Sequence, residues 1–105
     1  MIRTSPIDLA HLDRQTLGDR TVRDEVLAMF VGQTASLRAE LGQCAGEARA
    51  RIAHRVQGAA LGIGAHAVAA CAASLEATPD DRDAAAALLQ RVEDVVQFIA
   101  AMEKR

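Results

Sequence analysis

Three histidines (His11, His54, His66) and two cysteines (Cys44, Cys71) carry most of the nucleophilic and metal-binding capacity of this 105-residue chain. His54 stands apart by its surroundings. On a helix turning about 100° per residue, Ile52, Val56 and Ile63 fall within roughly 20° of the direction opposite His54, so its ring faces water. Glu47, Arg51, Gln57, Gly58 and Leu61 share that exposed face, because residues three, four and seven apart stack on one side. An ordinary imidazole, with a pKa of about 6.5, is largely neutral and nucleophilic near pH 7. Gly58 follows one turn later, although a glycine inside a helix costs about 1 kcal/mol relative to alanine. Close approach of another protein's backbone to the imidazole is a reason for it.

The other reactive residues read as ordinary. His11 lies among polar neighbours on a short helix and is expected to be a solvated surface residue. His66 falls in the first turn of a helix, where the dipole disfavours positive charge, and is expected to be neutral and exposed. A zinc site built from the three histidines and a cysteine lacks any short ligand spacing of the C-x₂-C or H-x₃-H kind. Two cysteines are too few for a disulfide framework, and both are expected to be small packing residues in helices.

The elements that must hold these residues are helices throughout. Ser5 and Pro6 suit the N-cap and first position of a short first helix ending before Gly18. Asp19 or Thr21 caps a long second helix, about residues 20 to 43, with Asp24 and Glu25 favourable in its first turn. Its stripe is Val22, Val26, Phe30, Leu37 and Leu41, flanked by Leu27 and Met29, with Phe30 as a core anchor. Gly42 and Gly46 bracket the turn into a third helix, about 47 to 61, whose narrow buried side is Ala45, Ile52, Val56, Ala59 and Ile63. Gly62-Ile63-Gly64 stops it. A fourth helix, about 65 to 77, buries Val68, Cys71, Ala72 and Leu75. Thr78 as cap, Pro79 at the first position and Asp80 and Asp81 in the first turn start a last helix carrying Ala85, Leu88, Val92, Val95, Ile99 and Met102. About three heptads of that stripe are marginal for an independent coiled coil, so packing within the protein is expected. The sum is an all-α single domain over residues 1–105: a four-helix up-down bundle with a short additional N-terminal helix.

Composition agrees. Half of the residues are hydrophobic but only 2% aromatic, and abundant alanine lets helices approach closely. A net charge of −2 offers no basic footprint for nucleic acid. No stretch reaches the roughly 20 apolar residues of a membrane span, and Met1 to Pro6 lack the apolar core of a signal peptide. A cytoplasmic location and a monomer are the expectations.

The run His54-Arg55-Val56-Gln57-Gly58-Ala59-Ala60, then Gly62-Ile63-Gly64-Ala65 and Ser74-Leu75-Glu76, resembles the signature of the histidine-containing phosphotransfer (HPt) domain. The pattern covers about a quarter of the chain, and helix order and length elsewhere fit. The resemblance implies a small helical bundle of two-component phosphorelays. His54 then accepts a phosphoryl group from a receiver-domain aspartate, as in a hybrid histidine kinase, and passes it to a response regulator. The receiver supplies Mg²⁺, and this chain binds no cofactor or metal. Arg51 and Arg55 favour the neutral imidazole and offer donors to phosphoryl oxygens, or are plain surface residues. Arg55, about 100° round the helix, points less directly at the site. Gln57 stands where the family usually has lysine, so an uncharged amide replaces a cation beside the phosphoryl group. Gly58 and Gly62 match small-residue positions that keep the surface open. Leu61 either docks into a receiver or is partly buried at the helix end. No ATP-binding domain follows, so the expectation is a stoichiometric carrier rather than an enzyme. The alternative reading is a degenerate docking module that binds a receiver or kinase without transfer.

Overall fold

The computed structural model describes residues 5–103, and these form six helices with no strand: α1 (Leu9–Gln15), α2 (Arg20–Thr34), α3 (Leu37–Gln43), α4 (Gly46–Ile63), α5 (His66–Ala77) and α6 (Arg82–Glu103). The first four residues, and with them most of the expected signal-peptide test, lie outside the described residues.

The chain begins by burying Ile7, and only then turns into helix. Asp8, not Ser5, is the N-cap of α1: its Oδ1 accepts the His11 N–H at 3.0 Å. Ser5 Oγ accepts only the Ile7 N–H, at 3.3 Å, in a turn ahead of the helix, so Pro6 is not a helical residue. A carboxylate also suits a helix N-terminus better than a hydroxyl, because it meets the positive end of the dipole. Asp19 caps α2, accepting the N–H groups of Thr21 and Val22 at 2.9 and 3.1 Å. Asp24 and Glu25 therefore fall past the first turn.

The expected long second helix is broken. Between α2 and α3 the chain turns at Ala35-Ser36, just after Thr34, whose buried hydroxyl donates back to the Phe30 carbonyl at 2.9 Å. Such back-bonding competes with the helix ladder and bends it. Leu27, Phe30, Leu37 and Leu41 are buried, whereas Val22 and Met29 remain on the surface.

α4 runs two residues beyond the expected end and stops at Gly64, whose φ of +77° is a left-handed cap. Its N-cap Ala45 is exposed rather than part of the buried stripe. Buried Ala53, Val56, Ala60 and Ile63 face the core. α5 buries Val68, Ala69, Ala72 and Leu75, with Cys71 only half-buried. Thr78 ends α5 instead of starting α6; Asp81 caps α6, its Oδ1 taking the N–H groups of Asp83 and Ala84 at 2.9 and 3.1 Å. Ala85, Leu88, Val92, Val95 and Ile99 of α6 are buried and Met102 is half-buried.

α4 packs most extensively on α5 and α5 on α6, while α2 touches both α4 and α6. Small side chains on α4 and α5 allow the two helices to lie close together. Arg49 ties three elements at one end: its Nε and Nη2 donate to the Leu41 carbonyl of α3 at 3.0 and 2.7 Å, and its Nη1 to the Pro79 carbonyl at 3.1 Å. The guanidinium thus satisfies carbonyls that the end of α3 and the α5–α6 turn would otherwise leave open. At the other end α1 is strapped to the α4–α5 corner by the Asp8 N–H donating to the Gly64 carbonyl at 2.9 Å. No helix among the described residues is long and apolar enough to cross a membrane.

Candidate functional site

α4 presents His54 with 72% of its side chain exposed, flanked on one wall by the last turn of α5. There Glu76 brings its carboxylate to the ring: Oε2 lies 3.1 Å and Oε1 3.3 Å from Nδ1. A carboxylate is an acceptor, so Nδ1 must carry the hydrogen. In the neutral ring the lone pair is then on Nε2, the nitrogen turned away from Glu76. Geometry and tautomer together leave one nucleophilic atom directed outward.

Glu76 is the site residue that sequence reasoning passed over, although it closes the Ser74-Leu75-Glu76 run. Its signal is positional. An acid in the last turn of a helix opposes the macrodipole, and a partner such as an imidazole offsets that.

Glu47, Ala50, Arg51, His54, Arg55 and Glu76 line an open cavity of about 520 Å³. Arg51 is mostly exposed and its guanidinium is 4.0 Å from Glu47, a long surface pair of little energetic worth. It is free to move toward His54. Arg55 borders the same cavity but is turned toward α3, where its Nη2 donates to Glu40 Oε2 at 2.7 Å. That ion pair joins α3 to α4 and was not signalled by spacing, because Glu40 and Arg55 lie on different helices.

Gln57 is half-buried beside this face and Gly58 is exposed. A Cβ added at Gly58 meets nothing within 4 Å, and the same holds at Gly62. No neighbour within the chain requires either glycine. Leu61, exposed by 48%, continues the face toward the end of α4, so it remains a surface side chain and is not buried at the helix end.

His11 is not the freely solvated residue expected. Half-buried, its Nε2 lies 3.0 Å from the Leu61 carbonyl and donates to it, and its ring meets His66 edge-on at 5.7 Å between centroids. His66 is exposed in the first turn of α5, with Nε2 3.3 Å from Asp8 Oδ2. The His11 backbone N–H, and then the His66 imidazole, hold the Asp8 carboxyl below its ordinary pKa of 3.8. These contacts fasten α1 and belong to the scaffold rather than to the His54 cavity.

Both cysteines are free thiols and half-buried. Cys71 is helical, as expected, but Cys44 is the C-cap of α3 in extended conformation and lies outside a helix. Among the described residues no three His, Cys, Asp or Glu side chains are grouped to hold a metal ion.

Comparison of the chain with known protein families, with curated proteins and with solved structures finds no match.

Proposed function

We propose that this chain is a histidine phosphocarrier of the HPt kind, taking a phosphoryl group on His54 from a receiver-domain aspartate and handing it to another receiver. The observation that carries the reading is the exposed His54 whose Nδ1 is engaged by Glu76 while Nε2 stays open. In the forward step the Nε2 lone pair attacks the phosphorus of an aspartyl phosphate. An N–P bond forms, the P–O bond to the aspartate breaks, and the aspartate leaves as a carboxylate. Glu76 steadies the Nδ1–H as positive charge develops on the ring. Transfer of this kind asks mainly for position and charge stabilisation. Arg51, loosely held at the cavity edge, is the nearest uncommitted cation for the phosphoryl oxygens. The resemblance assigns Mg²⁺ to the receiver, and no residue of this chain is needed to bind it.

The all-helical architecture supports the same reading. We take α2 with α3, α4, α5 and α6 as an up-down four-helix bundle, with α1 as its additional N-terminal helix. A rigid helix carrying a surface nucleophile is what such a carrier has to provide.

Incubation with a panel of phosphorylated receiver domains and Mg²⁺ tests this function. An acid-labile, base-stable label that maps to His54 and disappears in His54→Gln, with helical content unchanged, is the expected result. Undiminished labelling of His54→Gln would falsify the assignment. Gln57 in place of lysine and Arg55 committed to Glu40 favour one further reading, a docking module that binds receivers without transfer. Receiver binding that survives His54→Gln, with no label on the unmodified chain, is its mark.

A further inference from the structure

We propose a second binding site, remote from His54, that takes a protein segment presenting a carboxylate beside an apolar side chain. Leu9, Arg20, Arg23, Phe98, Ala101 and Met102 line a cavity of about 290 Å³ where the start of α2 meets α1 and the end of α6. An adjoining cavity of about 310 Å³ shares Arg20, Arg23 and Met102 and is closed by Leu27 and Ile99. None of these residues lines the His54 cavity.

Two observations identify the occupant. The floor of the groove is apolar: Phe98, one of only two aromatic residues in the chain, is half-buried there and Leu9 is exposed by 48%. The rim is cationic and incompletely paired. Arg23 Nε is buried yet has no hydrogen-bond acceptor among the described residues. Asp24 Oδ1, 3.5 Å away, supplies charge attraction without hydrogen-bond geometry. A buried N–H without an acceptor is a standing penalty that a bound carboxylate removes, and a guanidinium meets a carboxylate with two parallel hydrogen bonds. Acetate supplies the charge alone and an aliphatic side chain the floor alone; a Glu-Leu or Asp-Phe type of segment supplies both. Asp24 and Glu103 on the second cavity direct the carboxylate to the Arg20–Arg23 side of the groove.

The test uses the full chain, isotopically labelled, and three blocked dipeptides: N-acetyl-Glu-Leu-amide, N-acetyl-Gln-Leu-amide and N-acetyl-Glu-Ala-amide. Saturable shifts of the Arg23 side-chain Nε–H and of the Leu9, Phe98 and Met102 amides are expected with the Glu-Leu probe. Affinity about tenfold weaker is expected for each of the other two, and for the Glu-Leu probe on Arg23→Met. Arg20→Gln serves as a second variant should Arg23→Met unfold by circular dichroism. No saturable shift with Glu-Leu overturns the proposal. So does equal response to Glu-Ala, which would mean charge alone, or to Gln-Leu, which would mean apolar contact alone. The result is independent of whether His54 carries phosphate.

Discussion

Gly58→Ala separates what the fold needs from what a partner needs. In the isolated chain a methyl there meets open space, and the position is inside an 18-residue helix. Alanine is better than glycine in a helix by about 1 kcal/mol, partly by restricting the unfolded chain. Thermal unfolding should therefore shift upward by about 4 to 8 °C for a chain of this size. The same methyl stands one turn from His54, where the proposed receiver must come close. If that contact has to open for an added methyl, the cost is about 1 to 3 kcal/mol, which is roughly five- to a hundredfold in affinity. Calorimetry gives the first quantity. The second comes from receiver-driven labelling of His54 at limiting receiver, compared with labelling by phosphoramidate, a donor too small to touch Gly58. A stabilised variant with a depressed ratio of the two is expected. A destabilised Gly58→Ala refutes the reading that nothing in the chain needs the glycine. A stabilised variant with an unchanged ratio refutes close approach at this position.

Gly64→Ala should behave in the opposite way: at φ +77° its Cβ would stand 3.0 Å from the Asp8 carbonyl and 3.1 Å from His11 Cδ2, so a loss of about 2 to 3 kcal/mol is expected in urea unfolding. Phe30→Ala, at a side chain 1% exposed, should cost about 3 to 5 kcal/mol by the same measurement. Glu76→Ala should slow phosphoramidate labelling at Nε2 and change the His54 ring-nitrogen NMR signals from the Nδ1–H tautomer to a mixture; unchanged signals would remove Glu76 from the site. Asp8 has a depressed carboxyl pKa in the folded state, held by the His11 N–H and His66. Its stabilisation is thus present above the ordinary 3.8 and is lost as pH falls from there through the lower folded value. Asp8→Asn, which keeps the cap, should flatten that part of the acid unfolding curve.

Much of the scaffold was legible because helical periodicity survives noise from single residues. The α6 stripe from Ala85 to Ile99 and the Phe30 anchor follow from spacing alone. The exposure of His54 did too, since Val56 and Ile63 opposite it are buried. Helix starts were less legible where two capping residues compete within a few positions: Asp8 prevails over Ser5 and Asp81 over Thr78. In each case the later residue is an aspartate whose carboxylate reaches two or three residues ahead. The break at Ala35-Ser36 left no glycine or proline to read and depends on a threonine hydroxyl choosing its own helix. Contacts between distant segments were invisible to spacing: Glu76 on His54, Glu40 on Arg55, and His11 on the Leu61 carbonyl join residues 22, 15 and 50 apart.

The alanines buried between α4 and α5 carry a further consequence for His54. Ala53, Ala60, Ala69 and Ala72 have no rotamers to lose on folding, so the wall behind the imidazole has a single arrangement rather than several that interconvert. The carrier helix then behaves as a fixed mount whose position is set by main-chain proximity. Its weak point is enlargement, not loss: a valine at any of these alanines would push α4 outward and move the imidazole with it, whereas trimming side chains elsewhere in the core leaves the mount in place.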